Sequence, residues 1–390
     1  MGMEWLAMII PVLGIIFLYT WYRKETVWWE TLVPLGVVAI FIMIFKFSAE
    51  HFMTSTDEYW GGHIIKTEYF EPWDEYIHQT CTRTVSCGKD CTTTETYDCS
   101  YVQHHSAKWI MYDNNGFQHS ISKSHYNYLV RKFGGQKHFV DMRRNYHSRD
   151  GDMYRTYWPK DTLNAEIITV IENYENRVKV SNSVFNFQDV SKEDIKSYEL
   201  YDYPEVKNLK QKNLLGLENP KIERKLELLN GFLGKKKQVK VFLMIFNNQP
   251  LKAGELQEAY LKGGNKNEFI LCIGRDSLNP KASWVYPISW NTHKILNINV
   301  RDYVLKQDTL NLEETVDYLY SEVDKNFVRK HFSEFSYLKV ELTTGQLIAV
   351  WIVSFVITIG LCVWVILNPY TDSSNGNLNG RSKYNYYNRR

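Results

Sequence analysis

The sequence predicts an α+β membrane protein with three transmembrane helices, a β-rich outer domain and a second α/β module. Three observations support this prediction. Three apolar runs are long enough to cross a bilayer, short alternating segments rich in Tyr, Trp and Thr follow the second run, and helix and strand patterns alternate before the third. The chain has 390 residues and a formal net charge of +2, so its overall charge gives no indication of a nucleic-acid partner.

Transmembrane helices are predicted at residues 5–22, 31–48 and 346–367, with the lipid bilayer as their partner. The first run carries no charge and spans roughly 27 Å as a helix, close to the thickness of a hydrocarbon core. It lacks the basic start and the A-x-A-like site of a cleaved signal peptide, so it is expected to be retained. Lys46, near the end of the second run, is expected to reach the headgroups.

Basic residues predict the orientation of the chain, because Lys and Arg in short segments resist translocation. Loop 23–26 carries Arg23 and Lys24, whereas the segment before Trp5 carries no basic side chain. The C-terminal tail, residues 369–390, is polar, is predicted to be disordered and carries four further basic residues: Arg381, Lys383, Arg389 and Arg390. Loop and tail are therefore predicted to be cytoplasmic, and residues 49–345 periplasmic or extracellular.

Four of the six cysteines lie in one Thr-rich stretch: Cys81, Cys87, Cys91 and Cys99. Outside the cytoplasm thiols oxidise, and the spacing contains neither the C-x2-C pattern of a zinc site nor a redox C-x-x-C pair. A turn at Gly88-Lys89-Asp90 would pair Cys87 with Cys91 and Cys81 with Cys99 in a nested ladder. A zinc site that includes His104 and His105 remains the alternative.

Residues 57–205 are predicted to form the β-rich, cysteine-stapled outer domain. Asn115-Gly116 predicts a hairpin turn, and Ser122 and Gly134 are typical of the two ends of a helix between them. Residues 167–180 have an apolar spacing that fits either a strand or a helix.

Aromatic side chains alternate with carboxylates near the start of this domain and give its binding candidates: Trp60, Tyr69, Trp73 and Tyr76. This composition suits stacking on a glycan or gripping a protein partner on the outer face. The alternative is that these large side chains form the core of a small β domain.

Residues 219–335 are predicted to form the α/β module. Helices are expected at 220–234 and 253–264, with strands at 239–246, 268–274 and 283–290. A last helix is expected from Asn311 to about Phe332, opened by a capping box with Glu314 and striped by Leu and Val on its inner face.

The order of these elements before one C-terminal span, with the passage YLKGGNKNEFILCIG at 260–274, resembles the TPM-type module of membrane-anchored envelope and thylakoid proteins. The resemblance covers about residues 219–335 and implies an α/β fold, with phosphatase-like activity in the family. SLNPKASWVYPISW, at 277–290, replaces the family's Gly-rich segment. No catalytic residue is therefore carried over.

Motifs of catalysis are absent from the sequence: it contains no HExxH, no GxSxG and no P-loop. Asp150 and Asp152 lack the further ligands of a calcium loop and fit a polar turn better. No catalytic residue, metal site or cofactor is predicted. The sequence favours a membrane-anchored envelope protein that displays an outer binding or assembly domain. The alternative is a membrane-anchored, metal-dependent, phosphatase-like hydrolase, which would require carboxylates such as Glu268 and Asp276 to converge.

Overall fold

The computed structural model describes residues 3–22, 28–88, 91–134, 137–145, 148–157, 165–181, 187–276 and 280–368. The predicted cytoplasmic loop 23–26, the tail 369–390 and two residues of the predicted cysteine-hairpin turn, Lys89 and Asp90, lie outside these residues. The described chain is a mixed α+β structure in which three helices are long and apolar enough to cross a membrane.

The helices, in chain order, are α1 (Ile9–Trp21), α2 (Trp28–Thr54), α3 (Lys123–Phe133), α4 (Lys192–Ser197), α5 (Pro220–Lys237), α6 (Lys252–Tyr260), α7 (Ile295–Lys306), α8 (Leu312–Asn326) and α9 (Thr344–Leu367). A 3-10 helix at Met3–Met8 leads into α1, and another lies at Phe332–Phe335.

The strands, in chain order, are β1 (Ser55–Phe70), β2 (Trp73–Ile77), β3 (Thr80–Gly88), β4 (Cys91–Asp98), β5 (Tyr101–His105), β6 (Lys108–Asp113), β7 (Gln118–Ser120), β8 (Lys137–Asn145), β9 (Ser148–Tyr157), β10 (Ile167–Glu175), β11 (Leu214–Leu215), β12 (Lys240–Asn247), β13 (Glu268–Arg275) and β14 (Ala282–Ser289).

Backbone packing divides the chain into two compact units. The smaller unit comprises Met1–Thr56, Glu175–Phe185 and Glu334–Arg390, and the larger comprises Asp57–Tyr174 and Asn186–Ser333. Both predicted outer domains fall mainly in the larger unit, and the predicted boundary between residues 205 and 219 stays a prediction.

The smaller unit contains the three apolar helices α1, α2 and α9, which pack on one another. Gly14 of α1 permits a close approach to α9, because a Cβ there would lie 2.8 Å from Cγ2 of Thr358. Lys46 of α2 donates to Glu4 at 2.6 Å, so this predicted headgroup-facing lysine has a carboxylate partner at the start of the chain. Large apolar side chains such as Ile44 and Val356 point outward, as they do on helices surrounded by lipid.

The first sheet of the larger unit has the strand order β7-β6-β1-β9-β8, and β10 also pairs with β1. Asn115 and Gly116 lie in the turn that joins β6 to β7, which confirms the predicted hairpin. Helix α3 is also confirmed, with the Ser122 side chain accepting from the His125 amide and Gly134 left-handed at the C-terminus. The ambiguous segment 167–180 begins as strand β10 and leaves it at Glu175.

The second sheet has the order β11-β12-β13-β14, parallel except for the antiparallel pair β13–β14. Strands β12 and β13 are buried along almost their whole length, as continuous apolar runs predict. Helices α5, α7 and α8 cover one face of this sheet, and α6 lies on the other.

Helix α5 continues to Lys237, beyond the predicted end at residue 234. Gly231 and Gly234 do not end the helix, because both lie where another segment packs closely against it. A Cβ at Gly234 would overlap the Gly61 carbonyl oxygen of β1, and a Cβ at Gly231 would overlap the Ile167 side chain. His63 on β1 also lies 3.0 Å from the Gly231 carbonyl through Nδ1. The two glycines therefore allow the first sheet to pack directly on α5.

The last helix of the module, α8, ends at Asn326, so the prediction that it reaches about Phe332 is wrong. The Val328 amide donates to the Asn291 side chain at 2.8 Å, and the Thr292 amide donates to the Val328 carbonyl at 3.0 Å. These long-range hydrogen bonds require an extended backbone that begins at Phe327, after the helix. The Phe327 side chain is buried in the core. The predicted Leu and Val stripe does pack inward, with Val316, Leu319 and Val323 in that core.

Candidate functional site

The four strands β2 to β5 form a long antiparallel arm, residues 73–105, in the larger unit. Strand β2 pairs with β5 and β3 pairs with β4, and the Cys99 amide donates to the Gln79 carbonyl at 2.9 Å where the two ladders meet. At about 3.3 Å per residue, each side of the arm spans on the order of 50 Å. We refer to residues 73–105 as the β-arm.

The outer part of the β-arm, β3 and β4, is exposed on both faces. Among the side chains that are described there, Cys81 and Val85 alone are half-buried, and the rest are exposed. One face carries only hydroxyl pairs at its centre, Thr82 with Thr96, Thr84 with Thr94 and Ser86 with Thr92. A two-stranded sheet with no buried face is marginally stable in water, so this part of the chain needs covalent support.

A disulfide between Cys81 and Cys99 supplies that support and confirms the outer predicted bridge. Closing a loop of this length stabilises the hairpin by about 3 kcal/mol, because it limits the unfolded chain. Cys87 is also disulfide-bonded. The Cys91 side chain lies outside the described residues, and the inner bridge stays a prediction. Cys272 and Cys362 are buried free thiols.

The histidines of the zinc alternative point to opposite faces of the β-arm. His104 contacts Asp74 at 2.5 Å, and His105 contacts Glu75 at 2.8 Å, each across the β2–β5 pair. Cys81 and Cys99 are joined to each other and have no thiolate to offer a metal. Among the described residues, no three His, Cys, Asp or Glu side chains form a metal-binding group. The Asp150 side chain, one of the weaker cation candidates, lies outside the described residues.

The four aromatic binding candidates are divided between β1 and the β-arm, and each makes its own contacts. On β1, the Trp60 indole donates to Glu58 at 3.1 Å with the Arg329 guanidinium over its ring, whereas Tyr69 stacks in a row of rings on the sheet. On the β-arm, Trp73 stacks on His105 at 4.3 Å. Tyr76 is 41% exposed and meets His78 edge-on. Their role in binding stays a prediction.

The two carboxylates that would support a hydrolase do not converge. Glu268 begins strand β13 and Asp276 follows its last residue, so the length of the strand separates them. Glu268 is 1% exposed and accepts from the Tyr203 hydroxyl at 2.6 Å and from the Asn265 amide at 2.9 Å. Its oxygens are thus directed to protein donors inside the core.

A buried lysine lies beside Glu268 and was not singled out in the sequence. Lys240 pairs in register with Glu268, is 1% exposed and donates to the Thr169 hydroxyl at 2.9 Å. Burial lowers the pKa of Lys240 to about 7, although the nearby carboxylates of Glu223 and Glu268 act in the opposite direction. Burial also raises the pKa of Glu268. Both groups lie inside the core, so we expect them to affect how the stability of the protein depends on pH.

Lys240→Met is expected to flatten the dependence of stability on pH. The lysine pKa is lower in the folded protein than in the unfolded chain, so the unfolded chain binds the extra proton between about pH 7 and pH 10.5, and stability rises with pH across that window. From pH 7 to pH 9 the gain is at most about 2 to 3 kcal/mol in the native protein. It should vanish in the variant, as measured by Tm.

Lys207→Met, at an exposed position, is the control and should keep the native slope. Glu268→Gln removes the second buried group, and comparing it with the double variant Lys240→Met and Glu268→Gln isolates the lysine effect. A native slope in both Lys240 variants would show that this lysine does not titrate as described.

The β-arm is the strongest candidate functional surface of the described chain. Sequence reasoning located its cysteines, but the continuous ladder through β2 and β5 and the hydroxyl face follow from strand pairing. Comparison with protein-family models, with curated proteins and with solved structures finds no match for this chain, and the resemblance to TPM-type modules therefore stays a prediction.

Proposed function

We propose that this is a membrane-anchored, non-enzymatic envelope protein that displays its larger unit outside the cytoplasm as a binding or assembly domain. The β-arm is its contact element. The observation that carries the proposal is a disulfide-bridged, two-stranded structure exposed on both faces, which contributes little to the core of its own unit. A chain that covalently stabilises such an arm has a rigid surface for recognition, and rigidity lowers the entropic cost of binding.

The orientation in this proposal rests on two independent features. The Cys81–Cys99 disulfide is stable in an oxidising compartment, and the basic residues of loop 23–26 and of the C-terminal tail favour the cytoplasm. External protease applied to intact cells or spheroplasts should then cleave the larger unit and spare a C-terminal tag. Cleavage of the tag from outside would contradict this orientation.

A protein partner fits the β-arm better than a glycan. In the part of the chain that the structure describes, β3 and β4 pair only with each other, so their outer edges offer backbone donors and acceptors to an added strand, which is a common mode of protein recognition. The exposed part carries hydroxyls and few rings, whereas glycan sites need aromatic platforms.

Replacing residues 80–99 by a Gly-Gly turn between Gln79 and Ser100 is expected to abolish partner binding and to leave the rest of the protein folded. The β2–β5 pair remains and closes the shortened arm. Binding is measured by pull-down from native membranes, which compares the native chain with the shortened one. In the native chain, photo-crosslinking from a probe at Thr82 locates the contact, with a probe at the exposed Ile298 of α7 as control. A partner captured equally from both probes, or a shortened arm that retains every partner, would contradict the proposal.

A further inference from the structure

The edge of β4 is the part of the β-arm best suited to pair with another strand. In the described chain, β3 and β4 form a two-stranded sheet, so β4 has a strand on one side only. Natural edge strands are commonly protected by proline, lysine or a bulge. Strand β4, CTTTETYD, contains neither proline nor lysine. By contrast, β3 has an irregularity between Ser86 and Gly88, which makes its edge the poorer template.

The sequence of β4 is compatible with pairing to itself across a two-fold axis. In an antiparallel pair, opposed residues must lie on the same face of the sheet. The two-fold axis therefore lies midway between one residue and the same residue of the other copy. Centring on Thr94 places Thr94 against its own copy, Thr92 against Thr96 and Thr93 against Glu95. Centring on Glu95 would bring two carboxylates face to face, and centring on Thr93 would pair a shorter stretch.

The charges of the β-arm agree with the register centred on Thr94. Glu95 is already bound by Arg83 of the same hairpin at 2.8 Å, so its charge is balanced before a second copy arrives. Each Glu95 then lies opposite a threonine of the other copy. The hydroxyl face of β3 and β4 would continue across the axis, where threonine pairs stabilise neighbouring strands.

We propose that two copies of this chain associate through β4, forming a four-stranded antiparallel sheet centred on Thr94. This inference rests on the proposed function and names the partner of the β-arm as a second copy. Anchoring in one bilayer raises the effective concentration of the two arms, and the Cys81–Cys99 bridge holds each hairpin in register before it pairs.

The test is oxidative crosslinking of single-cysteine additions in the full chain in native membranes. Thr94→Cys should give a covalent dimer, because residues opposed across an antiparallel pair have Cα atoms about 4.5 to 5.5 Å apart, within disulfide range. Thr84→Cys is the matched control: it lies on the same face, directly opposite Thr94 in the hairpin, but on β3. It should stay monomeric, and it also controls for exchange with the native bridge.

Co-expression of two differently tagged chains, each with one added cysteine, tests the β4 register centred on Thr94. Thr92→Cys with Thr96→Cys should give a mixed dimer, whereas Thr92→Cys alone should not. Absence of the Thr94→Cys dimer, or equal dimer from Thr84→Cys, would overturn the inference. If the Thr82 probe then captures a different protein, the proposed function stands without self-pairing. If the β-arm crosslinks to nothing, both proposals fail.

Discussion

Replacing Leu319 and Val323 together with aspartate is expected to unfold the α/β module. Both side chains are 0% exposed and lie in one core cluster with Leu226 of α5 and Val300 of α7. Each substitution loses a buried aliphatic group and places a carboxylate in the core with no partner, at a cost of several kcal/mol apiece. Two such changes equal or exceed the total stability of a typical domain, about 5–15 kcal/mol.

Limited proteolysis in native membranes measures this result: the variant should be cleaved throughout residues 219–335. The same pair of charges at Tyr320 and Ser321, which are exposed on α8, is the control and should leave the native pattern. A helix that only docked on the surface of the module would release residues 333–345 alone, whereas the loss of two core side chains unfolds the whole module. Cleavage confined to that segment would contradict the core assignment.

Gly234→Ala is expected to destabilise the larger unit by about 2 to 4 kcal/mol, although alanine favours helices. A methyl group in an open helix position would stabilise by about 1 kcal/mol. At Gly234 it would overlap the backbone carbonyl of Gly61, and backbone cannot move aside as a side chain can. The first sheet must then separate from α5, which should lower Tm by several degrees.

Two further glycine variants make the comparison specific. At Gly231→Ala the nearest atoms to the new methyl group belong to the Ile167 side chain, which can rotate, so the effect should be smaller. Gly360→Ala lies in α9, where no other part of the described chain comes within 4 Å of the new methyl group apart from the adjacent helix backbone, and should be neutral or stabilising. An unchanged or higher Tm for Gly234→Ala would show that β1 and α5 are not in direct contact.

Segments whose structure depends on nearby residues were predictable from the sequence. The three long apolar helices follow from apolar runs, and α3 follows from Ser122 and Gly134, which bond to the turns that they cap. The Cys81–Cys99 bridge follows from two cysteines at the ends of alternating Thr-rich strands. In each case the stabilising partner lies within one turn, one hairpin or one continuous run of the chain.

Helix α7 was missed, although its buried residues Leu296, Val300 and Val304 recur with helical spacing. Its β-branched and asparagine residues favour helix weakly, and packing on β14 and α8 outweighs that preference. The observed module therefore has one more helix than the order that suggested a TPM-type module.

Three long apolar helices, an α+β body and a bridged hairpin were predictable from the sequence, because local contacts stabilise those features. Long-range packing sets the ends of α5 and α8, and it places Lys240 beside Glu268 in the core. It also joined two ladders into one β-arm. The reason is physical: these outcomes depend on partners far along the chain, such as Gly61 for Gly234 and Asn291 for Val328, and no local pattern encodes which distant segment will pack there.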